Sequence, residues 1–502
     1  MLSQSMTAKF IKSIGKDFSE SAVFGLFTAL AGFFKKLYDN SLLKSYVDAK
    51  PFINGVWGKS FFAFLTDKIF LFIARAITAA GNLCTKVFSG SLTDGVLRGI
   101  SKKIKYHHVL GLIFAVIFLV YSDWWNNMYA AAAAFVMTVF LIYKKRNNQL
   151  LPSKTDFFMV LFLISAVLGI FAAGNKTDAV RIAVITVSAL LFHLCTVYAL
   201  TTDEKLSGFV KIISVAVFIT AIVAIGQRIA GIEVDPEFVD LANNEGMPGR
   251  VFSTMENPNN YAELLVLFMP FMFAVFVNEK KPVLKLLWFV MAAAAFVALA
   301  MTYSRSCYVA LVIAILVFLL VYDYHLVLPV MLLALLALPF MPETVFNRIL
   351  TIGSLSDSSN SYRLYIWDVC VRLARDYGIS GLGIGPASFR SFYRPIAYRN
   401  AIKAPHSHML YLELILEYGI AGFIGFMGYY IRIIRNGFKS VKLAGRAQRA
   451  YLGAGIGALL GISFVCMAEY IWFYPRDMFA HFIVMGILIA QVQIIARKGN
   501  GA

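Results

Sequence analysis

Charged residues are scarce in this 502-residue chain. Asp, Glu, Lys and Arg make up 15% of it, where soluble domains carry about a quarter. That shortfall excludes a soluble enzyme and a disordered hub. Cysteine is sparse as well. Cys84, Cys195, Cys307, Cys370 and Cys466 are scattered without a C-x-x-C pair, which excludes a disulfide framework and gives no zinc spacing. The sequence has no Walker loop, no Ser-His-Asp arrangement, no nucleotide fingerprint, no repeat and no low-complexity tract. What fills it is apolar: 59% hydrophobic residues and a mean hydropathy of +0.72. They form long runs, unlike the alternating segments of about ten residues in an outer-membrane barrel. The fold class is therefore all-α, a polytopic helical membrane protein.

The formal net charge is +18, and half of it sits at the front. Residues 1–107 hold 15 Lys/Arg against 6 Asp/Glu and have no clean run of about twenty apolar residues. They read as a basic, amphipathic N-terminal region lying on an anionic membrane face; the alternatives are a soluble helical cap on the membrane domain or a signal peptide, whose cleavage-like Ala29-Leu30-Ala31 falls inside the apolar run. The charge thus points to membrane lipids, and no nucleic-acid partner is expected. Residues 108–502 form the transmembrane domain. Twelve candidate spans lie near 108–122, 127–143, 157–173, 179–200, 207–229, 261–277, 283–302, 307–322, 325–342, 409–431, 450–471 and 478–496.

Short loops set the orientation, because cytoplasmic loops carry excess Lys/Arg. One set holds Lys144-Lys145-Arg146, Lys154, Lys205, Lys280-Lys281, Lys285, six basic residues between Arg432 and Arg449, and Arg497-Lys498. The opposing short loops, 122–126, 174–178 and 472–477, hold only Lys176 and Arg476. Both termini are expected in the cytoplasm. Two outward segments are longer: 230–260, and 343–407 with seven Arg and one Lys. Arginine suits bidentate phosphate recognition. Within the second loop, Tyr362–Tyr377 has a helical pattern that puts Asp368, Arg372, Arg375 and Asp376 on one face. Those arginines equally fit surface ion pairs at i,i+4 spacing.

The unusual polar residues gather at the outer boundary. Gly249–Asn260 leads into a span, Thr302–Ser306 separates two spans with almost no loop, and Ala404–His408 opens another. Arg305 therefore sits near hydrocarbon depth, where an arginine marks function or snorkels to the headgroups; Tyr303 and two serines accompany it. His406 and His408 could supply a general base, contribute metal ligands, or cap a helix. On a helix starting there they would point about 200° apart. Gly378, Gly381, Gly383 and Gly385 read as turn glycines.

Four blocks in this order resemble the O-antigen ligase and polymerase superfamily. They are Arg250…Ser253-Thr254-Met255-Glu256-Asn257-Pro258-Asn259, Ser304-Arg305-Ser306, Arg363…Trp367…Gly383-Ile384-Gly385, and His408-Met409-Leu410-Tyr411-Leu412…Glu417-Tyr418-Gly419-Ile420-Ala421-Gly422. Met409 and Ser306 depart from the common Asn and Gly. The first 107 residues lie outside the pattern. The resemblance implies a metal-independent, cofactor-free glycosyltransferase in a bacterial cytoplasmic membrane, working on the extracytoplasmic side. Its donor would be a glycan on undecaprenyl diphosphate, and its acceptor a hydroxyl of a glycan, lipid or protein. It implies His408 as general base and Arg250 and Arg305 as stabilisers of the leaving diphosphate. Arg363, Arg372, Arg375, Asn257, Asn259, Tyr303 and His406 would bind substrate, and no residue would bind metal. The rival class is a transporter or flippase of lipid-linked sugars or small anions. A transporter would place its polar site near the midplane of repeated halves, whereas these blocks cluster at one face.

Overall fold

The structure, a computed structural model, describes residues 52–88, 105–144, 156–233, 248–352 and 358–499. Those residues fold into helices, turns and short 3-10 segments, with no strand among them. The chain is an all-helical, multi-pass membrane protein.

Two helices, α1 (Phe52–Trp57) and α2 (Phe61–Phe88), belong to the N-terminal region. Phe61, Phe62, Phe64 and Phe72 on α2 are exposed; among the described residues, the link to the bundle includes Trp57, edge-on to Phe157 at 5.4 Å. Residues 1–51 and 89–104 of the expected amphipathic N-terminal region lie outside the described residues.

The bundle itself opens with α3 (Tyr106–Leu119), α4 (Asn127–Lys144) and α5 (Phe157–Ala172), then α6 (Lys176–Ala199) and α7 (Asp203–Ala230). Next come α8 (Pro258–Asn278), α9 (Pro282–Thr302), α10 (Arg305–Tyr322) and α11 (Val327–Ala337). The long loop carries α12 (Glu343–Leu350), α13 (Ser358–Tyr377) and α14 (Pro386–Tyr393). The chain closes with α15 (Leu410–Ser440), α16 (Arg446–Val465) and α17 (Pro475–Gly499). Each of the twelve expected spans coincides with a helix, but by length and apolarity seven described helices qualify as spans. Helices α3, α4 and α5 are shorter apolar helices.

The expected span 325–342 does not run straight. The chain bends by 117° between Tyr324–Phe340 and Glu343–Leu350, and the two together would make an eighth span. Pro339 and Pro342 bracket the break, and neither can continue the helical ladder. The span near 450–471 also ends early. Helix α16 stops at Val465, and residues up to Tyr474 form turns and one short 3-10 helix.

Burial ranks the helices. In α8 and α17, 83% of the apolar window is buried, against 33% in α9. So α8 and α17 run through the centre, and α9 keeps a broad lipid-facing side. Close approach comes from small residues, as in other membrane bundles. Gly453, Gly457 and Gly461 stand four apart on α16, and a Cβ on any of them would press on the α10 backbone at Phe318, Ala314 or Ala310.

The helix ends fall into two polar zones. In one, Asp156 caps α5 by accepting from Phe158 N at 2.9 Å and pairs with Arg432 of α15. There too Lys498 meets Asp203 at 2.7 Å and Lys211 meets Glu279 at 3.4 Å. The other zone holds the starts of α6, α8, α10, α15 and α17, and the long loop lies upon it.

Candidate active site

The second zone is built from turns that the sequence pins in place. Asn257 caps α8, its Oδ1 accepting from Asn259 N at 2.9 Å and Asn260 N at 3.1 Å. Pro258 takes the first helical position, where its missing N–H is no loss. Arg250, itself buried, ties this cap to the neighbouring turn. Its Nε donates to Thr302 O at 2.7 Å and its Nη2 to Asn259 Oδ1 at 2.6 Å. Burial first, then Arg348 nearby, lowers the Arg250 guanidinium to about 10, so it stays cationic at neutral pH.

The turn at Thr302–Ser304 separates α9 from α10, as the sequence implies. Tyr303 adopts φ +53°. Its hydroxyl accepts from Arg228 Nη2 at 3.2 Å and its carbonyl from Arg348 Nε at 3.2 Å. Arg305 is half-buried and donates through Nη1 to Thr351 O at 3.0 Å. These residues adjoin the Arg250 cap through Thr302.

The long loop is strapped to the bundle rather than free of it. Leu382 N donates to Leu416 O at 2.6 Å, Ile384 N to Gly169 O at 3.2 Å and Ile420 N to Gly378 O at 2.6 Å. Gly381, Gly383 and Gly385 all have positive φ, and a Cβ on Gly383 would collide with the backbone of Ala173. Glu417 binds the far side of this turn, accepting from Gly385 N at 3.0 Å and from Tyr470 OH at 2.8 Å. Helix α15 kinks beside it, at Gly419 with φ +69°.

Helix α13 forms where expected, with Ile366, Val369, Cys370 and Leu373 packed inward. Leu364 and Val371, apolar but off that stripe, are exposed. Arg372 pairs with Asp368 at 2.8 Å, its side chain 47% exposed, and Arg375 is exposed on the same side. Arg372 thus makes the i,i+4 surface pair, and Arg375 lies exposed beside it. Arg363, one helix turn before Trp367, faces the bundle.

The histidines meet just before α15. Helix α15 begins at Leu410, so His406 and His408 do not point 200° apart. Their ring centroids lie 4.2 Å apart, because His408 turns the chain with φ +51°. His406 Nδ1 accepts from His408 N at 3.1 Å. Burial first, then the neighbouring His408, holds His406 well below the ordinary histidine range, so it is neutral. Trp367 Nε1 donates to Ser407 O at 3.0 Å, and Ser407 N to Glu413 Oε2 at 2.7 Å. The histidine segment is thus held by both α13 and α15.

One residue that sequence reasoning did not single out joins these parts. The buried Glu469 carboxylate accepts from Asn259 Nδ2 at 3.2 Å, pairs with Arg363 through Oε1, and faces His408 Nδ1 at 3.4 Å through Oε2. Burial alone would raise its pKa. Arg363 and the His408 contact override that and bring it down to about 2, so it is ionised. An ionised carboxylate only accepts. A proton on His408 Nδ1 suits this contact, and that tautomer leaves Nε2 as the ring nitrogen able to accept. Arg250, Asn259, Glu469, Arg363, His408 and His406 form one hydrogen-bonded chain. Among the described residues, no group of three or more His, Cys, Asp or Glu is arranged to hold a metal ion.

Against known families, residues 289–427 match the family described as O-Antigen ligase. The match covers rather more than a quarter of the chain. It contains the Thr302–Ser306, Arg363–Gly385 and His408–Gly422 blocks in full, while Gly249–Asn260 lies before it. The resemblance read from those motifs is borne out there. A function of glycan ligase or polymerase type is supported. No curated protein matches the chain.

Proposed function

We propose that this protein transfers or polymerises an oligosaccharide or polysaccharide from undecaprenyl diphosphate to an acceptor hydroxyl. The site would lie on the outer face of a bacterial cytoplasmic membrane, with both termini inside. The observation that carries this reading is the shared carboxylate: His408 and Arg363 meet on Glu469, and Asn259 links the same group to Arg250. A base and two fixed guanidiniums therefore stand within one network. His408 Nε2 would take the acceptor proton as its oxygen attacks the anomeric carbon. Arg250 and Arg305 would stabilise the charge growing on the departing diphosphate, with Arg363 joined to Arg250 through Glu469 and Asn259. Asn257, Asn259 and Tyr303 shape that wall, His406 backs the base, and Arg372 and Arg375 are left to long-range attraction of the anionic carrier. The diphosphate bond is already activated, so no cofactor is required. Acceptor class is read by deleting the gene and extracting lipids: single carrier-linked repeats accumulate if it polymerises, full-length polymer if it ligates. An unchanged carrier-linked pool would refute both.

Two checks bear on setting and chemistry. Cysteines at Lys403 and Leu443, both exposed, would be placed singly in a background lacking the native cysteines. On intact cells with a permeabilised outer wall, an impermeant maleimide is expected to label the first and spare the second. Reversed labelling would put the site in the cytoplasm. Transfer by purified protein is expected to survive EDTA, since guanidiniums rather than a divalent ion compensate the leaving charge. Loss on chelation, restored by micromolar divalent ion, would turn His406 and His408 into ligands.

A further inference from the structure

We infer that Glu469 is the positioning residue of the transfer reaction, orienting His408 through one carboxylate oxygen while holding Arg363 with the other. This rests on the reading of His408 as base. The geometry divides the carboxylate cleanly. Oε1 receives Arg363 and Asn259, and Oε2 faces His408 Nδ1. The backbone is fixed too: the carbonyl of Glu469 accepts from Leu410 N at 3.2 Å, beside that of Cys466 at 3.0 Å. The residue is thereby locked to the first turn of the helix that follows the histidines.

The chemistry needs an acid at this position, not merely a polar group. During transfer, the acceptor oxygen forms its bond to the anomeric carbon and its proton moves to His408 Nε2. The carbon–oxygen bond to the carrier breaks, and its electron pair leaves with the diphosphate. The imidazolium so formed keeps Nδ1–H on Glu469, which takes no proton, and Nε2 later returns its proton to water. A glutamine offers one acceptor atom and one donor group. With its oxygen on Arg363 and Asn259, its NH2 faces His408 and makes Nδ1 the acceptor. The ring proton then sits on Nε2, the wrong tautomer for a base, as in other carboxylate–imidazole pairs. The same change frees Arg363 from its counter-charge. Turnover should therefore fall with no loss of donor binding, which a merely structural role would not produce.

The test uses the full-length protein in lipid nanodiscs, with Glu469→Gln, Glu469→Asp and His408→Ala. Rates are read on a carrier-linked oligosaccharide, and binding on undecaprenyl diphosphate itself. Glu469→Gln is expected to lower kcat at least about 10²-fold, with Kd unchanged or up to about threefold tighter. Glu469→Asp should recover part of the rate, since it restores an acceptor-only group. A Glu469→Gln protein within twofold of wild-type kcat overturns the inference. So does a parallel loss of kcat, carrier binding and thermal stability. An inactive His408→Ala beside an active Glu469→Gln sinks only the role of Glu469. A fully active His408→Ala sinks the base assignment and the inference with it.

Discussion

His408→Ala is expected to lower glycan transfer by about 10²–10⁴-fold, the range a general base supplies, while leaving carrier-lipid binding within about threefold. The reasoning is that a base acts on the transition state and adds little to ground-state affinity. Nδ1 of its imidazole faces Glu469 Oε2 at 3.4 Å, which leaves Nε2 for the acceptor hydroxyl in the proposed reaction. The backbone at this position has φ +51°, so folding must be separated from chemistry. His408→Asn serves that purpose, because Asn tolerates the left-handed region and should be equally inactive but well folded. Membrane levels and melting temperatures of both variants need to match wild type. Full activity in either would return the base to another group. The structure also revises what His406 should do. It accepts the amide proton of His408 at 3.1 Å in a buried setting, and leaving that amide unsatisfied costs roughly 1–3 kcal/mol. His406→Ala should thus slow transfer by on the order of tenfold, through misplacement of its neighbour.

Arg305→Ala should lower transfer by about 10²–10³-fold, the usual effect of removing one electrostatic stabiliser. Unlike the histidine change, it should also weaken binding of undecaprenyl diphosphate. Arg305 starts α10 at a turn with almost no loop, and its guanidinium reaches Thr351 of the long loop at 3.0 Å. Lysine keeps the charge and loses the planar fork, so Arg305→Lys should recover only part of the rate. The internal control is Arg372→Ala. That side chain pairs with Asp368 at the surface, 47% exposed, and exposed pairs of this kind contribute about 0–1 kcal/mol. Its variant should transfer within about twofold of wild type at ordinary salt. A measurable rate in Arg305→Ala near the wild-type value would remove it from the leaving-group side.

Much of this molecule was legible before any coordinates. Long apolar runs place helices at every expected span, and the motif blocks converge on one end of the bundle. Periodicity found α13 and even allowed the outcome for Arg372, an i,i+4 ion pair. What stayed hidden has a physical cause in each case. Glu469 was swallowed by an apolar run, Val465–Tyr474, because hydropathy averages over a window and one acid does not break it. Its isolation there is the signal: a lone carboxylate at a membrane boundary requires partners. Helical spacing misplaces the His406–His408 contact because both residues precede the helix, which begins at Leu410. The bend after Phe340 is hidden by composition, since the apolar run outweighs two prolines that forbid a straight span.

The left-handed backbone of His408 has a bearing on how such a protein changes under selection. A side chain with a Cβ held at positive φ costs roughly 1 kcal/mol or more relative to glycine. Replacement of His408 by glycine would relieve that strain and, on the proposed role of His408, leave an idle protein. Stability and turnover therefore pull in contrary directions at this one position. A screen for heat resistance alone would drift toward the idle form. The strain at position 408 is thus a cost that only the reaction can justify keeping.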